Sequence, residues 1–476
     1  MIKQILISLS LLFSLSSVSA QDQNVFPACL DGSMMPYDFS TVDSLPAIPD
    51  GYTPVHISYV ARHGARYLSS PKKVEKIKKA LTDACQNGNI TVEGENFLFM
   101  IEDLCEYSKD RWGLLSDVGI NEEKILGKDM ARMFPDLLKK GKTESVSTFV
   151  PRVIMTMYEF THALEESHQN LHIYTSSGHQ NDSTLYFFDS FAKYRDFRND
   201  GAWKKVYDDY VERNVSYQPA RRLFKSVQEM DSKHLRNLTM EMFGVMQGNR
   251  ASGFKADPDE WFSQKEYEAC YKASNLVHYL RNTPNSLDPY CAPATATLIE
   301  RIIADADKAL SNNRYSSSTN FTSETQNISS VAKRNDSGTE TIFSGYFGHA
   351  ETLLPLLSVM NIPGCWYPFT KFDNIDSHWK LQEITPLGAN LTIIFLRKTQ
   401  PESPQAKAVS KDAKEKSKYV KEKSEKANTD ILVSLRLNGR NISAYPGAPQ
   451  FIKWSDLKEY WQMRIHSFSR PKANLR

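Results

Sequence analysis

A histidine between two arginines is the part of the sequence best suited to chemistry. The run Arg62-His63-Gly64-Ala65-Arg66-Tyr67 holds all three residues together. Guanidinium groups donate paired hydrogen bonds to phosphate oxygens and stay charged at any working pH. An imidazole held between them is a nucleophile for bound phosphorus. The run therefore predicts a site for a phosphate dianion with His63 at its centre.

The residues before this run predict the element that positions it. Residues 55–60 alternate apolar and polar side chains and are rich in β-branched and aromatic types, which is typical of a strand. The Arg-His-Gly residues are then the loop leaving that strand. Ligands bind at such carboxyl-end loops in α/β sheets, and Gly64 lets the backbone approach a ligand closely. A basic surface turn is the alternative, which the second arginine and the strand disfavour.

The run matches the signature of the histidine phosphatase superfamily, in its acid phosphatase and phytase branch. The resemblance implies a third arginine, a second histidine and a proton donor far away in the sequence. Pro151-Arg152, followed by Val153, Met157 and Phe160 at helical spacing, makes Arg152 the candidate for the third arginine. An exposed arginine on an amphipathic helix is the alternative.

The other two groups have candidates in residues 341–357. An apolar run ends in Gly348-His349-Ala350-Glu351 and is followed by a leucine-rich segment, which predicts strand, turn and helix. His349 then lies at a strand end and Glu351 in the first helical turn. In isolation, Glu351 would more commonly complement the helix dipole and His349 would be a turn residue. Family members with His-Asp here are general phytases and acid phosphatases, whereas His-Ala-Glu resembles the multiple inositol polyphosphate phosphatases.

Two further stretches bear on the resemblance, one as a departure from the family pattern and one as a match to it. The family's first motif usually carries a proline after the residue that follows its second arginine, and this chain has Leu68 there, followed by Ser69 and Ser70. We interpret this as a variant exit from the loop that leaves the charged residues intact. Residues 112–135 resemble the family's glycine and leucine spacing before a helix, and we expect them to support the fold rather than the chemistry.

The resemblance and the residue types imply the same mechanism. His63 would attack phosphorus and form a phosphohistidine, which water then hydrolyses. Glu351 would protonate the leaving alkoxide and then accept a proton from the attacking water. The non-bridging oxygens would be held by Arg62, Arg66, Arg152 and His349. This scheme requires no metal or other cofactor. Because nearby arginines lower the pKa of Glu351 while an acid catalyst needs its proton, we expect activity to favour mildly acidic pH.

Length and pattern predict an α/β fold with a mainly parallel sheet and a helical insert. The 476 residues, 41% of them hydrophobic, can bury one large core or two smaller ones. We predict a discontinuous core of residues 21–185 and 335–476. Residues 186–334 would form the insert, which would roof the phosphate pocket and select the leaving group. Its long helical stretches are residues 259–281 and 294–312.

The last part of the chain carries two further strand patterns and a charged segment. Residues 391–396 and 431–437 read as strands, and residues 316–337 read as a polar loop returning to the core. Between the two strands, residues 407–426 are dense in lysine. We interpret them as a solvated excursion, with attraction of a polyanion as the alternative.

The amino terminus and the cysteines predict export. Residues 1–20 have a positive start, an apolar core and small residues before Ala20, which is typical of a cleaved signal peptide. The protein would then be periplasmic, secreted or in the secretory-pathway lumen, with no transmembrane segment. Its six cysteines form an even set without a Cys-x-x-Cys pair, and the candidates for local disulfides are Cys85 with Cys105 and Cys270 with Cys291.

Two other functions stay open at this point. The chain could be a broad acid phosphatase acting on sugar phosphates or other monoesters, or an exported protein that captures phosphorylated ligands without catalysis. The complete residue set argues against the second, and only the His-Ala-Glu form, a family analogy, argues against the first. The partner in each case is a phosphorylated small molecule. A net charge of +2 does not indicate a nucleic-acid binder.

Overall fold

A β-sheet of eight strands lies at the centre of the protein. The computed structural model describes residues 26–139, 141–168, 170–312, 340–369, 371–399 and 431–469. The predicted signal peptide, the loop at 316–337 and the lysine-rich segment at 407–426 lie outside these residues. The strands are β1 (Tyr52–Arg62), β2 (Gly141–Ser147), β3 (Leu171–Ser177), β4 (Thr341–Gly348), β5 (Asn390–Lys398), β6 (Ile431–Leu437), β7 (Arg440–Ile442) and β8 (Ile452–Lys453).

The sheet is parallel in one half and antiparallel in the other. The strand order is β3-β2-β4-β1-β5-β6-β7, and β8 pairs with β6. Strands β1 to β4 run parallel, while β5 to β8 are added antiparallel beyond β1. The α/β prediction is confirmed, and so are the late strands, because residues 391–396 lie within β5 and residues 431–437 form β6.

Helices make up most of the remaining structure. Between β3 and β4 the described residues form helices and no strand. The α-helices are α1 (Lys72–Gln86), α2 (Val92–Ser108), α3 (Asp117–Met133), α4 (Pro135–Leu138), α5 (Pro151–Ser167), α6 (Asp182–Leu185), α7 (Phe187–Ser190), α8 (Ala192–Asp200), α9 (Trp203–Asn214), α10 (Gln218–Arg222), α11 (Ser232–Met246), α12 (Asn249–Ser252), α13 (Gln264–Asn282), α14 (Cys291–Asn312), α15 (Ala350–Met360), α16 (Leu381–Ile384) and α17 (Trp454–Ser469). Among these described helices, none is long and apolar enough to cross a membrane.

Local capping decides where the predicted helices start. Helix α13 begins at Gln264 rather than near residue 259, because Ser263 and Glu266 form a capping box. The second predicted stretch, residues 294–312, lies within α14, which begins at Cys291. The division of the chain into a core and an insert stays a prediction.

Both faces of the sheet are covered by apolar packing. On one face α3 and α5 pack on the parallel strands, with the Tyr59 and Phe160 rings stacked at 4.7 Å between centroids. On the other face α15 and α17 join the helices between β3 and β4, α14 among them, in one continuous apolar core. Because the faces are covered, a ligand is expected to reach the sheet at its strand ends.

The two local disulfides predicted from the sequence are not formed, because all six cysteines are free thiols. Helices α1 and α2 are consecutive and joined by a short connection, and Lys78 on α1 pairs with Glu102 on α2. Cys105 therefore lies opposite the start of α1, about 15 Å along the axis from Cys85. In the other, buried pair, Cys270 lies in the second turn of α13 and Cys291 is the first residue of α14.

Candidate active site

Parallel pairing of β1 with β4 brings the two sequence motifs together. Arg62 pairs with Gly348 at the carboxyl ends of these strands. Arg62 is thus the last residue of β1 rather than part of the loop, and His63 is the first residue after it. The backbone N–H of His63 donates to the carbonyl of Gly348 at 3.0 Å. The rings of His63 and His349 consequently lie 5.6 Å apart between centroids.

The surroundings of His63 leave one ring nitrogen ready to react. Its Nδ1 lies 3.0 Å from the carbonyl oxygen of Gly64, which can only accept, so Nδ1 carries the proton and Nε2 keeps its lone pair. His63 is 3% exposed. Burial, reinforced by Arg152, Arg62 and Arg66, holds the pKa of His63 well below its ordinary value. The imidazole is therefore a neutral nucleophile even in mild acid.

Three arginines surround this nitrogen. Arg62 donates from Nη1 to the carbonyls of Ser33 and Thr385, both at 2.6 Å. Arg66 and Arg152 approach from the loop and from the first turn of α5. Each of the three keeps a buried Nε without a hydrogen-bond partner. Unsatisfied buried donors cost about 1–3 kcal/mol each, so an anion bound among them would be stabilised.

Burial and mutual repulsion lower the pKa of these arginines. Burial and the neighbouring guanidiniums lower the pKa of Arg66 to about 9. Burial also lowers the pKa of Arg62 to about 10, with a further lowering by Arg152. All three stay charged at neutral and acidic pH. Glu351 is the acidic group that acts on all three, so positive charge is in excess, which is the feature expected of an oxyanion site.

His349 is the N-cap residue of α15 and lines the same space. Its Nδ1 lies 3.4 Å from Nη2 of Arg152 and its Nε2 lies 3.3 Å from the hydroxyl of Thr148. The rings of Tyr186 and Phe188 meet it edge-on, each at 5.4 Å. Burial, followed by the charge of Arg152, lowers the pKa of His349 to about 3. The ring is therefore neutral. Because an arginine only donates, Nδ1 accepts from Arg152, and Nε2 carries the proton and directs it to the Thr148 hydroxyl.

Glu351 lies in the first turn of α15 and faces the same cluster. Its Oε1 lies 3.4 Å from Nη2 of Arg198, on α8. Burial by itself would raise the pKa of Glu351, but Arg198, His349 and His278 outweigh it, and the pKa is held below the ordinary range. Without substrate, Glu351 is thus a carboxylate.

The sequence carries the signature of a known family over most of its length. The profile of the histidine phosphatase superfamily (branch 2) matches residues 55–422. The chain belongs to this superfamily. Its match includes both motifs at the carboxyl ends of β1 and β4, so the superfamily assignment and the geometry concern the same residues. No curated protein matches the chain.

Solved histidine phosphatase structures share the fold. The structure of Bifidobacterium longum multiple inositol polyphosphate phosphatase in complex with inositol hexasulfate has a TM-score of 0.65 and 13% identity, and the match covers 90% of this chain and 96% of that chain. The phytase from D. castellii has a TM-score of 0.61 and 15% identity, and covers 92% of this chain and 85% of that chain. At these identities the likeness shows the fold alone.

Sequence analysis did not identify three residues that the helices between β3 and β4 place around Glu351. They are Arg198 on α8, and His278 and Arg281 on α13. The charge of Glu351 acts on the pKa of both His278 and Arg281. The Nε of Arg281 is a further buried donor without a partner. No motif marks these residues, since single cations on charged helices usually face solvent.

Helix α3 holds the loop that follows His63. Glu122 accepts the backbone N–H groups of Ala65 and Tyr37, each at 2.8 Å. Gly119 has no side chain because a Cβ there would clash with the carbonyl of Ala65. Where the loop ends, the backbone N–H of Tyr67 donates to the carbonyl of Leu114 at 3.1 Å, and backbone pairing continues along residues 113–115. The variant exit at residue 68 is therefore held by backbone pairing, and residues 112–135 support the fold as predicted.

Glu123 lies beside Glu122 and predicts how stability depends on pH. It is 0% exposed, and neither of its oxygens has a hydrogen-bond partner. Burial, then the charge of Glu122, raises the pKa of Glu123 well above its ordinary value of 4.5. Above pH 4.5 the unfolded chain thus binds fewer protons at this position than the folded chain, so the group's contribution to stability falls with rising pH.

We expect Glu123→Gln to gain stability relative to the wild type as pH rises from 5 to 8, by up to about 1.4 kcal/mol per pH unit. Glutamine does not ionise, so only in the wild type does the protonation of residue 123 change the free energy of unfolding with pH. Urea unfolding at several pH values measures the difference, in which the titrating groups that do not interact with Glu123 cancel. Glu95→Gln, on the exposed side of α2, is the matched control. A pH-independent difference between Glu123→Gln and the wild type would contradict the interpretation.

Proposed function

We propose that this protein is a phosphomonoesterase that hydrolyses inositol polyphosphates such as inositol hexakisphosphate through a phosphohistidine intermediate. One observation carries the proposal. The free Nε2 of a neutral His63 lies among three arginines whose buried Nε groups have no partner. A phosphate group bound to those donors would be positioned for in-line attack by the nitrogen.

The proposed reaction has two displacements. In the first, Nε2 of His63 forms a bond to phosphorus, the bond to the ester oxygen breaks, and Glu351 delivers a proton to that oxygen. In the second, Glu351 accepts a proton from water, whose oxygen attacks phosphorus and frees the imidazole. Arg62, Arg66 and Arg152 would neutralise the charge of the transferring group in both steps, with the neutral His349 ring beside it.

A basic cleft beside the site supports a polyanionic substrate. The cleft has a volume of about 840 Å³ and includes His278 and Arg281, which connect it electrostatically to Glu351. Its cationic residues are Lys73, Lys76, Lys204, Lys205, Lys233, Arg236 and Arg281. Four acidic residues also line it, so the positive groups are in excess. The His-Ala-Glu form and the inositol hexasulfate complex of the B. longum enzyme favour the same substrate class.

We expect the double variant Lys73→Ala/Lys233→Ala to raise KM for inositol hexakisphosphate roughly three- to tenfold, with little effect on an aryl phosphate. Both lysines are exposed, and neither makes an ion pair with any described side chain, so both are free to meet additional phosphates. Steady-state kinetics at low ionic strength measures the effect, which salt should reduce. Lys79→Ala, on α1 outside the cleft, is the control. Equal changes in KM for both substrates would contradict the role of the cleft.

The experiment that tests the proposal is phosphate release from inositol hexakisphosphate in the presence of EDTA, with an aryl phosphate as the competing substrate. Metal-independent release from the inositol, lost in His63→Ala, is the expected result. Release from the aryl ester alone would favour the broad acid phosphatase. Release from neither, with retained binding of phosphate, would favour the binding protein.

We also propose that the protein is exported after removal of residues 1–20. The supporting observation is the charge and hydropathy pattern of these residues. Amino-terminal sequencing of protein recovered outside the cytoplasm should begin at Gln21. A mature chain that begins at Met1 would contradict export by this route.

A further inference from the structure

Arg198 is fixed beside the carboxylate of Glu351 by contacts on several sides. Its Nε donates to Oδ1 of Asn282 at 3.2 Å, and its Nη1 donates to the carbonyl of Phe188 at 3.4 Å. The guanidinium also lies over the Phe188 ring, 5.1 Å from the centroid. Nη2 is left to pair with Glu351 at 3.4 Å. The side chain of Arg198 is only 10% exposed and that of Glu351 is 33% exposed, so water screens this ion pair only in part.

Other charged and titratable groups also face Glu351 from every element around it. They are Arg62 at the end of β1, Arg66 in the loop that follows it, Arg152 on α5, Tyr186 before α7, His278 and Arg281 on α13, and His349 at the N-cap of α15. The first three belong to the phosphate site, where a bound phosphate would cancel much of their charge. Arg198 instead makes its direct ion pair with Glu351 itself. It is the cation whose position most directly sets the charge on Glu351.

We infer that Arg198 is a positioning residue that keeps Glu351 ionised in the free protein and releases it when a phosphate group of the substrate competes for the guanidinium. The inference rests on the proposed function. Arg198 lies close enough to Arg281 for their charges to interact, and Arg281 lines the basic cleft. A second phosphate of a polyphosphate entering from the cleft would therefore meet Arg198.

The released carboxylate can then take up the proton that catalysis needs. Glu351 binds a proton from solvent once Arg198 pairs with the substrate phosphate. As Nε2 of His63 bonds to phosphorus, the breaking P–O bond leaves its electron pair on the ester oxygen, and the proton of Glu351 moves to that oxygen. Glu351 is again a carboxylate, ready to accept a proton from the attacking water. The ion pair thus resolves the conflict between a cationic site and an acid catalyst.

The pH profiles of kcat/KM and kcat test this inference, because they report the free enzyme and the substrate complex respectively. In Arg198→Gln the alkaline limb of kcat/KM for inositol hexakisphosphate is expected to move upward by roughly one to two pH units, since a cation beside the acid is lost. The limb of kcat should move less, because substrate has already displaced Arg198. Arg198→Lys should restore most of the wild-type profile. Arg195→Gln, a half-exposed residue on α8 paired with Asp196, should match the wild type.

Three results would overturn the inference. One is a higher KM in Arg198→Gln with an unmoved alkaline limb, which would make Arg198 only a substrate contact. Another is a parallel loss of activity and of Tm in both Arg198 variants, which would make its role structural. The third is a result of NMR titration of ¹³C-labelled glutamate without substrate, in which the Glu351 signal is assigned by its loss in Glu351→Gln. If Glu351 titrates in Arg198→Gln as it does in the wild type, the inference is wrong. This measurement needs no turnover, so it stays decisive if the wild type proves inactive and the proposed function itself fails.

Discussion

Replacement of His63 by alanine is expected to lower phosphate release by roughly 10⁴-fold or more, because the phosphohistidine can no longer form. The arginines would still bind the substrate, so its affinity should change far less than kcat. Denaturing quench of a reaction with radiolabelled substrate measures the intermediate directly. The wild type should retain an acid-labile, base-stable label on the protein, and the variant should retain none.

The control for this prediction is His162→Ala, an exposed histidine on α5 that lies outside the site. It should keep the wild-type rate and label. Equal Tm values for the two variants would show that the loss in His63→Ala is chemical. Substantial turnover by His63→Ala, or a label that survives in it, would contradict the assignment of the nucleophile.

Replacement of Glu351 by glutamine is expected to lower the first-turnover rate on inositol hexakisphosphate by about 10²- to 10⁴-fold. An inositol alkoxide is a poor leaving group, and without a proton it departs slowly. An aryl phosphate carries a good leaving group, so its first turnover should fall less than about tenfold. Rapid-quench kinetics with the two substrates measures this contrast.

The second displacement provides an independent check on Glu351. Because the glutamine cannot accept a proton from water, the variant should release a burst of aryl alcohol and accumulate the phosphohistidine. Glu459→Gln, exposed on α17, is the control and should behave as the wild type. Equal first-turnover losses on both substrates, without a burst, would argue against Glu351 as the proton donor.

The residues of each motif are local in sequence, which is why they could be predicted. Arg62 and His63 follow a run whose alternation predicts a strand, and β1 spans that run. His349 and Glu351 follow an apolar run that forms β4; His349 is the N-cap of α15 and Glu351 lies in its first turn. Arg152 lies in the first turn of α5 behind its proline. In each case a strand or helix boundary, set by neighbouring side chains, places the functional residue.

The distances between the motifs were decided by long-range pairing. Parallel pairing of Arg62 with Gly348 places His63 beside His349, although nearly 300 residues separate them. Pairing also decided that β5 to β8 are added antiparallel to the parallel strands, because strand composition does not encode the direction of the partner. Long-range packing also explains why the predicted disulfides are not formed. The spacing of cysteines in the sequence does not show which turn of one helix faces another.

The sequence by itself determined the class of fold and the chemical groups at the ends of β1 and β4, because strand, turn and helix signals act over a few residues. Only the tertiary structure decided that Arg198, His278 and Arg281 surround Glu351 and that Glu122 holds the N–H of Ala65. A cation or carboxylate on a helix has the same local pattern whether it faces solvent or an active site. Its environment depends on the packing of distant helices, and that packing sets its charge and its role.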